Sequence, residues 1–158
     1  MLHLLAKLDR PFFAIIVGKD KHIKRYTTLS EQLGLAGRVT FTGPVSDIDR
    51  YYADSDILML PTRYEPFSTV VLEAMRGGNA VITTRQNGAA EILQDELLMD
   101  QSSDEKILPV MRRLLDETDY LEEIKNLNRS TVKEFSIERN ARETLALIDA
   151  VMSESTAQ

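Results

Sequence analysis

Four short apolar runs, separated by stretches with helical spacing, constrain this chain most. They are "FFAIIVG" from Phe12, "RVTFTG" from Arg38, "DILMLP" from Asp56 and "AVITT" from Ala80. Short apolar runs without clean alternation fit strands covered on both faces, and strands alternating with helices imply a parallel sheet between helical layers. The first run is expected to be such a doubly buried strand. Between the runs, Ile23, Tyr26, Leu29 and Leu33 mark one helix, ended by Gly34. "SDID" reads as a capping box, Ser46 capping and Asp49 reaching back, that opens a second helix through Tyr51 and Tyr52. A third helix over 68–76 closes at Gly77 and Gly78.

The flanks are helical. Leu2, Leu4, Leu5 and Leu8 suit a short helix that stops before Pro11. After the fourth run come a short helix over 89–93 and a last short strand at "LLM". From Ser103 three apolar stripes follow: Ile107, Leu108, Met111, Leu114 and Leu115; Tyr120, Leu121, Ile124 and Leu127; Ile137, Ala141, Leu145, Ile148 and Val151. All three are expected to pack on the sheet or cap it. The final "SESTAQ" reads as a frayed tail.

Composition removes several function classes. With 158 residues the chain suits one domain with a real core, and 43% hydrophobic with 28% charged residues is a globular balance. A net charge of -6 argues against nucleic acid as a partner. No cysteine is present, and His3 and His22 stand far apart, so no zinc or thiol site is expected. No stretch has the length of a transmembrane segment, and the start lacks a signal-peptide pattern, so a cytoplasmic location is expected.

In an open α/β sheet, ligands bind beyond the carboxyl ends of the strands. There the loop "TRYEPF" runs from Pro61 to a helix beginning at Ser68 and Thr69. Unpaired N–H groups and a positive dipole end make that start a seat for phosphate. Glu65 lies in the loop, and Glu73 follows about five residues into the helix, roughly 7 Å along its axis. A ligand with phosphates in the middle and hydroxyl-bearing sugars at both ends, as in a nucleotide-sugar, matches this layout. Spacing alone is met equally well by a solvated loop glutamate and a helix-supporting one.

Other groups gather at the same edge. Lys19, Lys21, Lys24 and Arg25 follow the first strand, either as a solvated helix face or as a border to anionic ligand. Asn87, Gly88 and Glu91 follow the fourth run and are candidates to line the same cleft. Asp54 and Asp56 imitate an Asp-x-Asp metal signature, but they precede the third strand, at the opposite end; turn chemistry explains them better.

"ADSDILMLPTRYEPFSTVVLEAMRGGNAVITT" followed by "NGAAEIL" closely resembles the donor-binding, C-terminal domain of retaining GT-B glycosyltransferases, the glycosyl transferases group 1 family. Glycogen synthases and lipopolysaccharide-core glucosyltransferases are of this kind. The resemblance extends back through "IIVGKDK" and covers nearly the whole chain from Phe12. It implies an α/β fold, a Rossmann-like parallel sheet with helices on both faces plus C-terminal helices, one half of a GT-B fold. Glu65 matches the catalytic-site glutamate near the reacting sugar, and Glu73 the one that holds the ribose hydroxyls. Phe67, Ser68 and Thr69 match positions whose amides face sugar and diphosphate. Gly43, Pro44 and Val45 match the segment bordering the base; Lys19 and Lys21 are no part of that match, and their position alone offers them as a border to the diphosphate, as a face toward an anionic acceptor or as a solvated helix face. Pro66 and Ser68 replace family glycines, and Pro66 removes one N–H.

The implied partners are a UDP- or GDP-linked sugar and a glycan or lipid-linked acceptor held by another domain. No metal or other cofactor is implied, and the full enzyme is expected in the cytoplasm, peripheral to the inner membrane. Residues 1–158 read as a single nucleotide-sugar-binding domain lacking its first strand, its diphosphate-binding Arg/Lys pair and the acceptor domain. The third strand would then either close upon the first or leave a gap. A non-catalytic interaction module and a sugar-nucleotide epimerase domain are the alternatives.

Overall fold

The computed structural model describes the backbone of residues 1–156 and side chains through Ser153; residues 157 and 158, the end of the expected tail, lie outside the described residues. The order is α1 (Leu2–Ala6), β1 (Ala14–Val17), α2 (Ile23–Gln32), β2 (Val39–Gly43), α3 (Ile48–Ala53), β3 (Ile57–Leu60), α4 (Thr69–Gly77), β4 (Ala80–Thr84), β5 (Leu98–Met99), α5 (Leu108–Asp116), α6 (Thr118–Thr131) and α7 (Ile137–Thr156). All strand pairing is parallel, as βαβ connections require. The short helix expected over 89–93 is a 3-10 turn, Gly88–Ile92.

Alternating side chains along β3 and β4 separate two cores. Ile57 and Met59 with Ala80 and Ile82 face one core, which gathers α1, α5 and α6 through Leu4, Met111, Leu114, Tyr120 and Ile124. Leu58, Leu60 and Val81 face the other, built from α3 and α4 through Tyr52, Val71, Ala74 and Met75. α4 ends where Gly78 turns left-handed at φ 88°; a Cβ there would lie 2.4 Å from the Arg129 guanidinium. Asn128 of α6 donates to the Asn79 carbonyl at 2.8 Å, and Asn79 donates onward to Tyr52 O (3.0 Å) and Ser55 O (2.5 Å), so α6 is tied to the α4–β4 turn.

The sheet is in two pieces. Among the described residues β1 pairs only with β2, and β3, β4 and β5 form a second set in that order. Among those residues β3 therefore does not close upon β1 by strand pairing. The expectation that "FFAIIVG" is buried on both faces is corrected: Ala14 and Ile16 pack on the first core, whereas Phe13 and Ile15 are 62% and 40% exposed. A strand with one neighbour and one helical layer cannot be covered twice.

Two further expectations change. α3 begins at Ile48 behind Asp47, with no side-chain cap, so Ser46 and Asp49 form no capping box; Asp49 is held instead by Arg76 at 3.0 Å. The third stripe does not pack: Ile137, Leu145, Ile148 and Val151 of α7 are all exposed, Ile137 by 84%. Of the other stripes, Leu115 and Leu127 lie outside the core as well.

Candidate functional site

The loops after β3 and β4 are laced together. The Glu65 N–H donates to Gln86 O at 3.1 Å, and the Gly88 N–H donates to Glu65 O at 2.8 Å. Only glycine fits at position 88, because a Cβ would lie 1.9 Å from the Pro66 carbonyl oxygen. Asn87 is buried; its amide donates to Thr83 Oγ1 and its Oδ1 accepts from the Ala89 N–H, both at 3.1 Å. Asn87 thus builds the loop pair rather than lining a cleft, while Glu91 stays exposed on the following turn. The backbone of Glu65 is fixed and its half-buried carboxylate has no protein partner among the described residues.

Next in the chain, α4 offers its positive end. Ser68 is the buried N-cap but supplies no side-chain cap, and its carbonyl accepts from the Val71 N–H at 3.2 Å. The N–H groups of Ser68, Thr69 and Val70 have no acceptor among the described residues, and Thr69 and Val70 are exposed. Three free donors at a dipole's positive end are the elementary requirement for anion binding. The Phe67 ring stacks on Phe135, centroids 6.2 Å apart, which anchors the loop immediately before them.

On the second turn, the half-buried Glu73 accepts a hydrogen bond from Tyr52 Oη at 3.2 Å. Burial first, then the Glu73 charge and that bond, push the Tyr52 phenol up to about 12, so it stays a neutral donor. α3 reaches this position because Gly77 has no side chain: a Cβ there would fall 2.6 Å from Tyr52 Cβ. Tyr52 escaped the sequence reading, since nothing local relates it to a glutamate 21 positions away.

The remaining candidates sit on the other half-sheet. Gly43 is left-handed at φ 72° and its carbonyl accepts from the Gly18 N–H at 2.9 Å, so the loops after β1 and β2 lie side by side. Lys19 and Lys21 are exposed there, without ion pairs among the described residues. Pro44 and Val45 enter a groove of about 560 Å³ shared with Ile15, with Arg50 and Tyr51 of α3 and with Asp54 just after that helix. Asp54 and Asp56 pair with Arg50 at 3.5 Å and Lys125 at 3.1 Å, flanking the amino end of β3. The structure therefore gathers Glu65, Phe67, Ser68, Thr69 and Glu73 around one helix start, and Lys19, Lys21, Gly43, Pro44 and Val45 at the loops of β1 and β2.

A parallel sheet whose helix start presents free amides between two carboxylates is a frame suited to an anionic ligand that carries hydroxyl groups. In keeping with that frame, residues 1–131 match the model of the family Glycosyl transferases group 1, and the chain belongs to that family. It is 28% identical over 152 residues to the uncharacterized glycosyltransferase MJ1607 of Methanocaldococcus jannaschii, covering 92% of this chain and 39% of that protein. It is 30% identical over 107 residues to the lipopolysaccharide glucosyltransferase WaaG of Escherichia coli K12, covering 65% and 28%. Its fold matches Anabaena Alr3699/HepE, solved in complex with UDP-glucose, at TM-score 0.80 and 24% identity, over 92% of this chain and 43% of that one. The chain thus spans well under half the length of these proteins. No described helix is long and apolar enough to cross a membrane.

Proposed function

We propose that residues 1–158 form the donor-binding part of a retaining hexosyltransferase, and that the start of α4 receives the diphosphate of a nucleotide-sugar. The observation that carries this is the set of unpaired amides at Ser68, Thr69 and Val70 with Glu65 before them and Glu73 behind. In this reading Glu73, aimed by Tyr52, accepts from the ribose hydroxyls, and Glu65 accepts from the hexose hydroxyls near the reacting carbon. The loop at Gly43, Pro44 and Val45 borders the base, and Lys19 and Lys21 stand on the diphosphate side.

In the whole enzyme an acceptor hydroxyl, on a glycan or lipid-linked substrate held by another domain, attacks the face from which the nucleoside diphosphate departs. Charge develops on the leaving phosphate in that step. Fixed amide dipoles stabilise it without reorganising, which is the strongest contribution such a site offers. HepE, solved with UDP-glucose, supports a UDP-linked donor, and the GDP-mannose-dependent mannosyltransferase of Mycobacterium tuberculosis, 29% identical over 117 residues, supports a GDP-linked one.

Calorimetric titration of the chain with UDP and GDP tests this. Heat is expected with UDP, falling at least about tenfold in affinity in Glu73→Ala, the scale of one lost charge-assisted bond pair. Unchanged circular dichroism in that variant assigns the loss to binding. No heat with either nucleotide would overturn the reading, and transfer or epimerisation by the full gene product decides between transferase and epimerase.

A further inference from the structure

We infer that a polar groove at the carboxyl ends of β3, β4 and β5 is a second binding site, for a sugar unit that carries an anionic group. The groove has a volume of about 340 Å³ and takes a wall from each strand: Thr62 and Arg63 after β3, Gln86 after β4, and residues 100–103 after β5. Ligands gather at this edge of a parallel sheet. None of the groups assigned above to the nucleotide-sugar lines it, for Thr62 and Arg63 precede Glu65 in the chain and α4 follows it.

The walls are fixed by paired groups. Thr84 Oγ1 donates to Thr62 O at 2.8 Å, and the Gln86 amide donates to Asp100 O at 3.0 Å. Asp104 folds the last wall into a turn, its carboxylate accepting from the Asp100 N–H at 3.2 Å and the Lys106 N–H at 3.0 Å. Four side chains in the lining are left over: those of Arg63, Gln101, Ser102 and Ser103 have no partner among the described residues. The frame is thus bonded to itself, and the groups it holds out are not.

Charge and chemistry select the ligand. Asp100 is the one acid in the lining, and Arg85 at 3.2 Å and Lys106 at 3.3 Å occupy its two carboxylate oxygens. Arg63 therefore keeps an uncompensated charge, and a guanidinium offers a planar fork of donors suited to carboxylate or phosphate. Amide and hydroxyl side chains both donate and accept, as the hydroxyls of a sugar do. No apolar side chain lines the groove, which disfavours lipid tails and nucleobases. Its volume lies at the small end of the roughly 300–1,000 Å³ typical of ligand sites, which suits one sugar unit.

The occupant's place in the reaction rests on the donor-site reading. The Glu65 N–H donates to Gln86 O at 3.1 Å, so the groove adjoins the residue assigned to the reacting carbon. In that reading the occupant is an acidic unit of the acceptor, and Arg63 selects acidic acceptors over neutral ones.

NMR titration of the labelled chain with glucuronate, glucose 6-phosphate, glucose and inorganic phosphate tests the site without any nucleotide. Both acidic sugars should shift the amides of Arg63, Gln101, Ser102 and Ser103, and the one with the lower midpoint identifies the anionic group. Glucose and inorganic phosphate each supply half of the required chemistry and should need at least about tenfold higher concentrations. Arg63→Gln, at an exposed position, should raise the midpoints of the acidic sugars about tenfold or more, with a wild-type spectrum elsewhere. Glu73→Ala should leave those midpoints where they are, so failure of UDP binding and failure of this site are separate outcomes. Shifts confined to Ser68, Thr69 and Val70 would overturn the inference. So would unchanged midpoints in Arg63→Gln, glucose or inorganic phosphate binding as tightly as the acidic sugars, or no shift with any of the four.

Discussion

β1 and β4 read alike as apolar strands, yet one is half open and the other sealed. β4 lies between β3 and β5 and between two helical cores, and each of its five residues is buried. β1 has one strand neighbour and one covered face, so Ile15 stays 40% exposed. The difference teaches that an apolar run records the environment a strand is suited to, whereas the surroundings are set by which neighbours are present. Candidate ligand groups follow the same division. Those around α4 are held by laced loops, while Lys19 and Lys21 stand on the half-sheet with the looser border.

Matched truncations should expose this contrast most strongly. Ile82→Ala, at a fully buried position, is expected to cost about 3 kcal/mol in urea denaturation, and Ile15→Ala less than about 1 kcal/mol. Equal losses would break the comparison. Gly88→Ala comes next, at about 2 kcal/mol, because its methyl must push the Pro66 carbonyl aside and part the two loops. Weaker UDP binding should accompany that loss, since the same loops carry Glu65.

A smaller effect is expected from Tyr52→Phe, about 1 kcal/mol for one net hydrogen bond. The Tyr52 phenol is raised from an ordinary value of 10.0 to about 12, and Tyr120 likewise, mainly by burial. The folded chain therefore holds these protons where the unfolded chain has lost them. Their contribution is complete below pH 10 and disappears as pH climbs toward 12. Denaturation at pH 9 and 11.5 should show a drop in the wild type that Tyr52→Phe reduces. Leu145→Ser on exposed α7 closes the series, within about 0.5 kcal/mol of wild type.

What could be read from the sequence is what local physics determines. The four apolar runs became β1 to β4, and "TRYEPF" became the loop before α4, because run length, proline and glycine act over a few residues. The Ser68 helix start was legible for the same reason. The Tyr52–Glu73 bond, the Phe67–Phe135 stack and the pairing of Glu65 with Asn87 were not, since each joins residues brought together only by the sheet. The apolar stripe of α7 misled: periodicity reports that a helix has an apolar face and says nothing of what covers it. "SDID" misled because Asp49 is taken by Arg76 of α4, a competitor from elsewhere in the chain.

The claim on which the functional reading stands is that phosphate binds at the amino end of α4. Titrating the isotopically labelled chain with UDP and following its amide resonances tests this directly. The largest shifts should fall on Ser68, Thr69 and Val70, and their titration midpoint should rise at least about tenfold in Glu73→Ala. Shifts centred on any other segment, or none at saturating UDP, would contradict it.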